Sequence, residues 1–124
     1  MLLEAMIAIV IFSFGVLAIV GLQAVSIKQA SQAKYRTQAS FLANELIGQL
    51  WVDRAAIVSG YRVPDAWSNR VAAALPSGTG SVSVATNPNV TTGTQYVVTV
   101  TVSWVEPGGD SHKYVSVAQI NGAG

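Results

Sequence analysis

Residues 2–22 read LLEAMIAIVIFSFGVLAIVGL, an apolar run in which Glu4 is the only charge. No side chain in 5–22 ionises. Coiled as a helix, those eighteen positions rise on the order of 27 Å, close to the hydrocarbon thickness of a bilayer. The run can therefore span or nearly span a membrane. Its acid is the anomaly, because a carboxylate in hydrocarbon costs at least a few kcal/mol unless it is protonated or paired. The helix dipole favours an acid in a first turn by only about 0.3–1 kcal/mol, too little to offset full burial. Glu4 is expected to have a cationic partner.

A cleaved secretory signal would need a basic region ahead of its apolar core, whereas this run opens on an acid and is longer than a usual signal core. Lys28, Lys34 and Arg36 follow it and nothing basic precedes it, so the positive-inside rule alone would leave the rest of the chain in the cytoplasm. A basic leader ahead of Met1 would reverse that orientation, and an opening on MLLE reads as a chain that has lost one.

The helical pattern continues beyond the apolar run, since 23–58 contains no proline and is rich in Ala, Gln and Leu. One helix over about 2–58 is expected. Past Lys28 its apolar residues Ala39, Leu42, Ala43, Leu46 and Leu50 recur at spacings of three and four, a single stripe that needs cover on one side. Residues 1–24 thus form an apolar half, for a membrane or a filament core, and 25–124 a globular part. Gly15 and Gly21 each weaken the helix by roughly 1 kcal/mol relative to alanine and are the places where it could unwind; small residues there also permit close helix packing.

Ser59-Gly60 ends the helix and Pro64 opens a short second one over about 65–75, with Trp67, Val71 and Ala74 or Leu75 on one face as a core anchor. From Gly80 onward the period becomes two, which predicts strands over about 80–86, 95–105 and 112–120. Turn-forming residues join them over short distances, so the strands should run antiparallel. Val98, Val100 and Val102 should face the long helix, and Thr99 and Thr101 the solvent. The expected fold is α+β: a long N-terminal helix whose second half packs under a short helix and a three-stranded antiparallel sheet, a ladle.

Chemistry is sparse. With 124 residues, 10% of them charged, a formal charge of +1 and no cysteine, the chain has no basic field for nucleic acid, no disulfide and no thiolate. A lone His112 builds no zinc site. Ser111-His112 is placed in a solvated hairpin tip, Glu106 and Asp110 beside a Pro-Gly-Gly turn where carboxylates cap backbone amides, and Gly78-Thr79-Gly80 leads into a strand and so lacks the context of a phosphate loop. Lys28, Lys34 and Arg36 could meet lipid head groups or nucleic acid, and as three charges beside an apolar run they are read as snorkelling or solvated. No catalytic, metal or cofactor set is expected.

The apolar start with its early glutamate resembles the N-terminal segment of type IV pilins and pseudopilins. Within that superfamily GLQA at 21–24, YRTQASFLANEL at 35–46 and WVEPGGDSHKY at 104–114 are most similar to the PilV family of minor pilins. The resemblance implies a precursor with a short basic leader, cleaved and N-methylated by a prepilin peptidase, and puts the family glutamate on Glu4 with one residue missing ahead of Met1. It implies that the mature N-terminal amine of a neighbouring subunit pairs with Glu4, that Met6, Ile7, Val10, Ile11, Phe14, Leu17 and Ile19 pack in the membrane or filament core, and that Gly15 and Gly21 can melt. The chain departs from many pilins in having no disulfide and no proline within the first helix. The expected function is that of a structural subunit: in the inner membrane with a periplasmic globular domain, then in a surface pilus, with other pilin subunits and the pilus assembly machinery as partners. A pseudopilin of type II secretion and a simple membrane-anchored binding module are the rivals.

Overall fold

The computed structural model describes residues 1–122. In chain order the elements are α1 (Leu2–Val52), α2 (Arg54–Val58), α3 (Asp65–Ala74), β1 (Thr79–Thr86), β2 (Gln95–Val105) and β3 (Ser111–Asn121), an α+β arrangement. The chain divides into two compact units, Met1–Lys34 and Tyr35 onward. The first is helix through nearly its whole length.

The second unit holds the core. From α1 it takes the stripe Ala39, Leu42, Ala43, Leu46 and Leu50, all buried, and sets them against Trp67, Val71 and Leu75 of the α3 region, Val98, Val100, Val102 and Trp104 of β2, and Ile120 of β3. Each Leu, Val or Ile side chain so withdrawn from water stabilises the unit by about 1.5–3 kcal/mol. The three strands lie in the order β1-β2-β3, antiparallel throughout, with Val82 opposite Val100, Val84 opposite Val98, and Val102 opposite Tyr114. Period two sends Val98, Val100 and Val102 of β2 inward as expected. Thr99 and Thr101 are half-buried rather than open, because β2 is the central strand and is flanked on both sides.

The long helix stops earlier than the absence of proline predicts. It ends at Val52, and Asp53 (φ −110°, ψ 59°) separates it from the single turn α2. Asp53 follows Leu50 by three residues, so an uninterrupted helix would carry its carboxylate onto the buried stripe. A burial of that kind is costly. With the break, Asp53 stays exposed while Ile57 is buried.

Pro64, extended at ψ 134°, precedes α3, and its carbonyl accepts from the amides of Trp67 and Ser68 at 3.1 Å each. The Trp67 indole donates from Nε1 to the Leu42 carbonyl at 2.9 Å in the second half of α1. On its other side the ring lies over Gly80 so closely that a Cβ there would overlap it. This close approach, rather than a turn, is what requires glycine at the start of β1.

Gly80→Ala is expected to destabilise the second unit by about 1–3 kcal/mol, the usual cost of overpacking. Gly48→Ala, at an exposed helical site where nothing lies within 4 Å of the added carbon, is expected to stabilise it by about 0.5–1 kcal/mol. Chemical denaturation of the full chain in detergent, followed by tryptophan fluorescence, reads both signs.

Candidate functional site

The first unit presents apolar surface on all sides. Met6, Ile7, Val10, Ile11, Phe14, Leu17 and Ile19 are each more than half exposed, and the helix is long and apolar enough to cross a membrane. An apolar surface of this extent, beyond the few hundred Å² usual on monomers, marks a membrane or protein contact. Its backbone is satisfied by the helix itself, and Ser13 returns its hydroxyl proton to the Ile9 carbonyl at 2.8 Å, so the polar side chain within the apolar run is internally bonded and suited to a medium without water. Glu4 sits exposed in the first turn, where the helix dipole favours an anion. The helix passes through Gly15 and Gly21 without a break, and neither glycine is required by a close neighbour.

The second unit adds surface features that the sequence reading did not single out. Between α1 and α3 an open groove of about 610 Å³ is lined by Phe41, Leu42, Ala73 and Ala74, with the Glu45–Arg70 ion pair at its side. Phe41 is 69% exposed. It falls off the buried stripe by one position from Leu42, and an aromatic residue on the polar side of an amphipathic helix is the signal that could have marked it.

At the other end of the sheet the structure corrects the expectation of a solvated histidine. His112 belongs to β3, its side chain is only 27% exposed, its ring stacks on Trp104 with centroids 5.8 Å apart, and its Nε2 lies 3.5 Å from Oε2 of Glu106. Glu106 is itself 7% exposed, so its carboxylate is held within the fold instead of in an open turn. The cause is register: the turn over 106–110 sets Val105 opposite Ser111, and therefore Trp104 opposite His112 on the inner face. Gly108 and Gly109, both at positive φ, make this turn possible. The Glu106 amide donates to the Asp110 carbonyl at 2.8 Å and closes it. Counting outward from the turn would have paired the two rings.

Tyr61 borders a cavity of about 380 Å³ with Ile57, Val84 and Tyr96. Its hydroxyl is buried and has no hydrogen-bond partner among the described residues. Burial first, and then the nearby Asp53 carboxylate, raise the phenol above its ordinary value of 10.0. Among the described residues no three His, Cys, Asp or Glu side chains gather into a metal-binding set.

No family model, no curated protein and no solved structure matches this chain.

Because the folded state disfavours the Tyr61 phenolate, the stability this group contributes is fully present below its unfolded value near pH 10 and is lost as pH rises through the higher folded value. The denaturation midpoint should fall above about pH 10, and fall less steeply in Tyr61→Phe. At pH 7 that variant should be equal to or more stable than the parent, since it removes a buried hydroxyl that lacks a partner.

Proposed function

We propose that this chain is a structural subunit of a type IV filament, a minor pilin of the PilV kind. Residues 1–24 anchor it in the inner membrane before assembly; the same surface then packs against other pilin subunits, with the globular part on the periplasmic side and later on the cell surface. One observation carries the reading: an exposed apolar helical stretch, residues 2–22, whose first turn holds the only acid of that stretch. A surface of that composition is equally at home in lipid and among apolar helices, so transfer from one to the other changes little in the hydrophobic term. The carboxylate is what distinguishes the two environments.

In lipid Glu4 must stay near the head groups or lose its charge. In a filament the terminal amine of a neighbouring subunit would neutralise it, which makes Glu4 a register mark as well as a binding contact. A precursor with a basic leader, processed by a prepilin peptidase and delivered by the pilus assembly machinery, is part of this proposal. The stretch 104–114, one of the three on which the likeness to PilV family members rests, contains the whole turn and the paired ends of β2 and β3. The absence of cysteine is met there by Trp104, His112 and strand pairing.

Glu4→Ala should leave the protein in the membrane fraction and remove it from sheared surface filaments, because an amine left buried without its partner costs about 3–5 kcal/mol. Immunoblots of membrane and filament fractions measure both, and normal incorporation of the variant would contradict the proposal.

A further inference from the structure

The far end of the β2–β3 ladder places a reactive dipeptide beside the contacts that govern it. Gln95 and Asn121 are the last pair in register, and one step beyond them the Gly122 amide donates to the Thr94 carbonyl at 2.8 Å. The Asn121 side chain is exposed. Its Oδ1 accepts from Nε2 of Gln95 at 3.3 Å, while Oε1 of Gln95 accepts from Nδ2 of Asn87 at 2.6 Å. Packing favours glycine at 122, because a Cβ there would stand 3.2 Å from both the Thr94 carbonyl oxygen and the Tyr96 ring. The same missing Cβ leaves the Gly122 nitrogen unshielded. Of the asparagines in the chain, at 44, 69, 87, 89 and 121, only Asn121 precedes a glycine.

We propose that Asn121 is a site of spontaneous deamidation, gated by the opening of this last rung. The Gly122 nitrogen gives its proton to hydroxide and attacks Cγ of Asn121. The N–Cγ bond forms, the Cγ–Nδ2 bond breaks, and Nδ2 leaves as ammonia with a proton taken from water. Water then opens the succinimide at either carbonyl to give aspartate or isoaspartate, so one water is consumed for each ammonia released and nothing is oxidised or reduced. In the closed ladder the nitrogen is engaged by Thr94 and the side-chain amide by Gln95, and neither group is free to react. The ends of a folded element open at little cost in free energy while its centre stays paired, and the reaction draws on that opening alone. Isoaspartate adds a backbone atom between 121 and 122, so the product cannot keep both the pair with Gln95 and the bond from Gly122 to Thr94. The end of β3 is then left open for good. This chemistry belongs to the globular part and does not rest on the filament reading.

The test keeps the purified full chain in detergent at physiological temperature and mildly alkaline pH, follows its folding by circular dichroism, and reads samples taken at intervals by mass spectrometry after brief trypsin digestion in mild acid. Cleavage after Lys113 isolates Asn121 on 114–124, where it is the only asparagine, whereas Asn87 and Asn89 share 71–113. The 114–124 peptide should gain the mass of an amide-to-acid exchange and resolve into two chromatographic forms, one of them accepting a methyl group from an isoaspartyl methyltransferase. Over the same interval 71–113 should keep its mass. In urea, where the rung is absent, Asn121 should convert several-fold faster than in the folded chain. G122A, whose added carbon shields the nitrogen, should convert several-fold more slowly than the parent in either solvent. The proposal is overturned if the folded chain keeps its 114–124 mass while the unfolded chain converts, if the two convert at equal rates, if Asn89 converts as fast as Asn121, or if G122A changes nothing. E4A alters none of these contacts and should convert as the parent does, so this outcome and the fate of the filament reading are separable.

Discussion

The indole of Trp67 holds three elements with one side chain. Its N–H reaches the Leu42 carbonyl in α1, its own backbone belongs to α3, and its ring rests on Gly80, the second residue of β1. The Leu42 carbonyl already serves the helix ladder, and its second lone pair accepts the indole without breaking that bond. Around this contact the helix stripe and the inner face of β2 close into one cluster. Trp104 performs a smaller version of the same task at the far end of the sheet, where it stacks on His112 beside Glu106.

The two units follow opposite rules. From Tyr35 onward most large apolar residues turn inward, with Phe41, Val52 and Val117 among those left on the surface; before it, apolar residues face outward on every side of the helix. The first unit cannot bury its own surface, because a single helix has no inside. Its stability in any setting must come from what surrounds it, be that lipid or other helices. A carboxylate at its start makes that choice of surroundings sensitive to charge.

Much of this was legible in the sequence because the signals were local. The spacing of Ala39, Leu42, Ala43, Leu46 and Leu50 gave the buried stripe, alternation gave all three strands to within a residue at each end, and Trp67 was marked as a core anchor by its place on a short helix. Glu4 was conspicuous as one charge in an apolar run. What escaped was set by pairing. His112 looked like a turn residue because its ring partner, Trp104, stands eight positions earlier and meets it only through the hairpin register. Phe41 was not singled out from the sequence, because its exposure depends on α3 taking the neighbouring face of α1. The helix break at Asp53 was hidden because aspartate is tolerated in helices when it faces water, and which face is wet depends on the rest of the fold.

The sequence by itself determined the kind of each element and the sharp change from outward-facing to inward-facing apolar residues, since both follow from periodicity along the chain and need no distant contact. Tertiary structure alone decided where the long helix ends and which side chains of the hairpin lie inside. Those outcomes depend on which surfaces remain after Trp67 has drawn α3 onto α1 and β1, and burial is a property of the assembled layers that no single stretch of the chain contains.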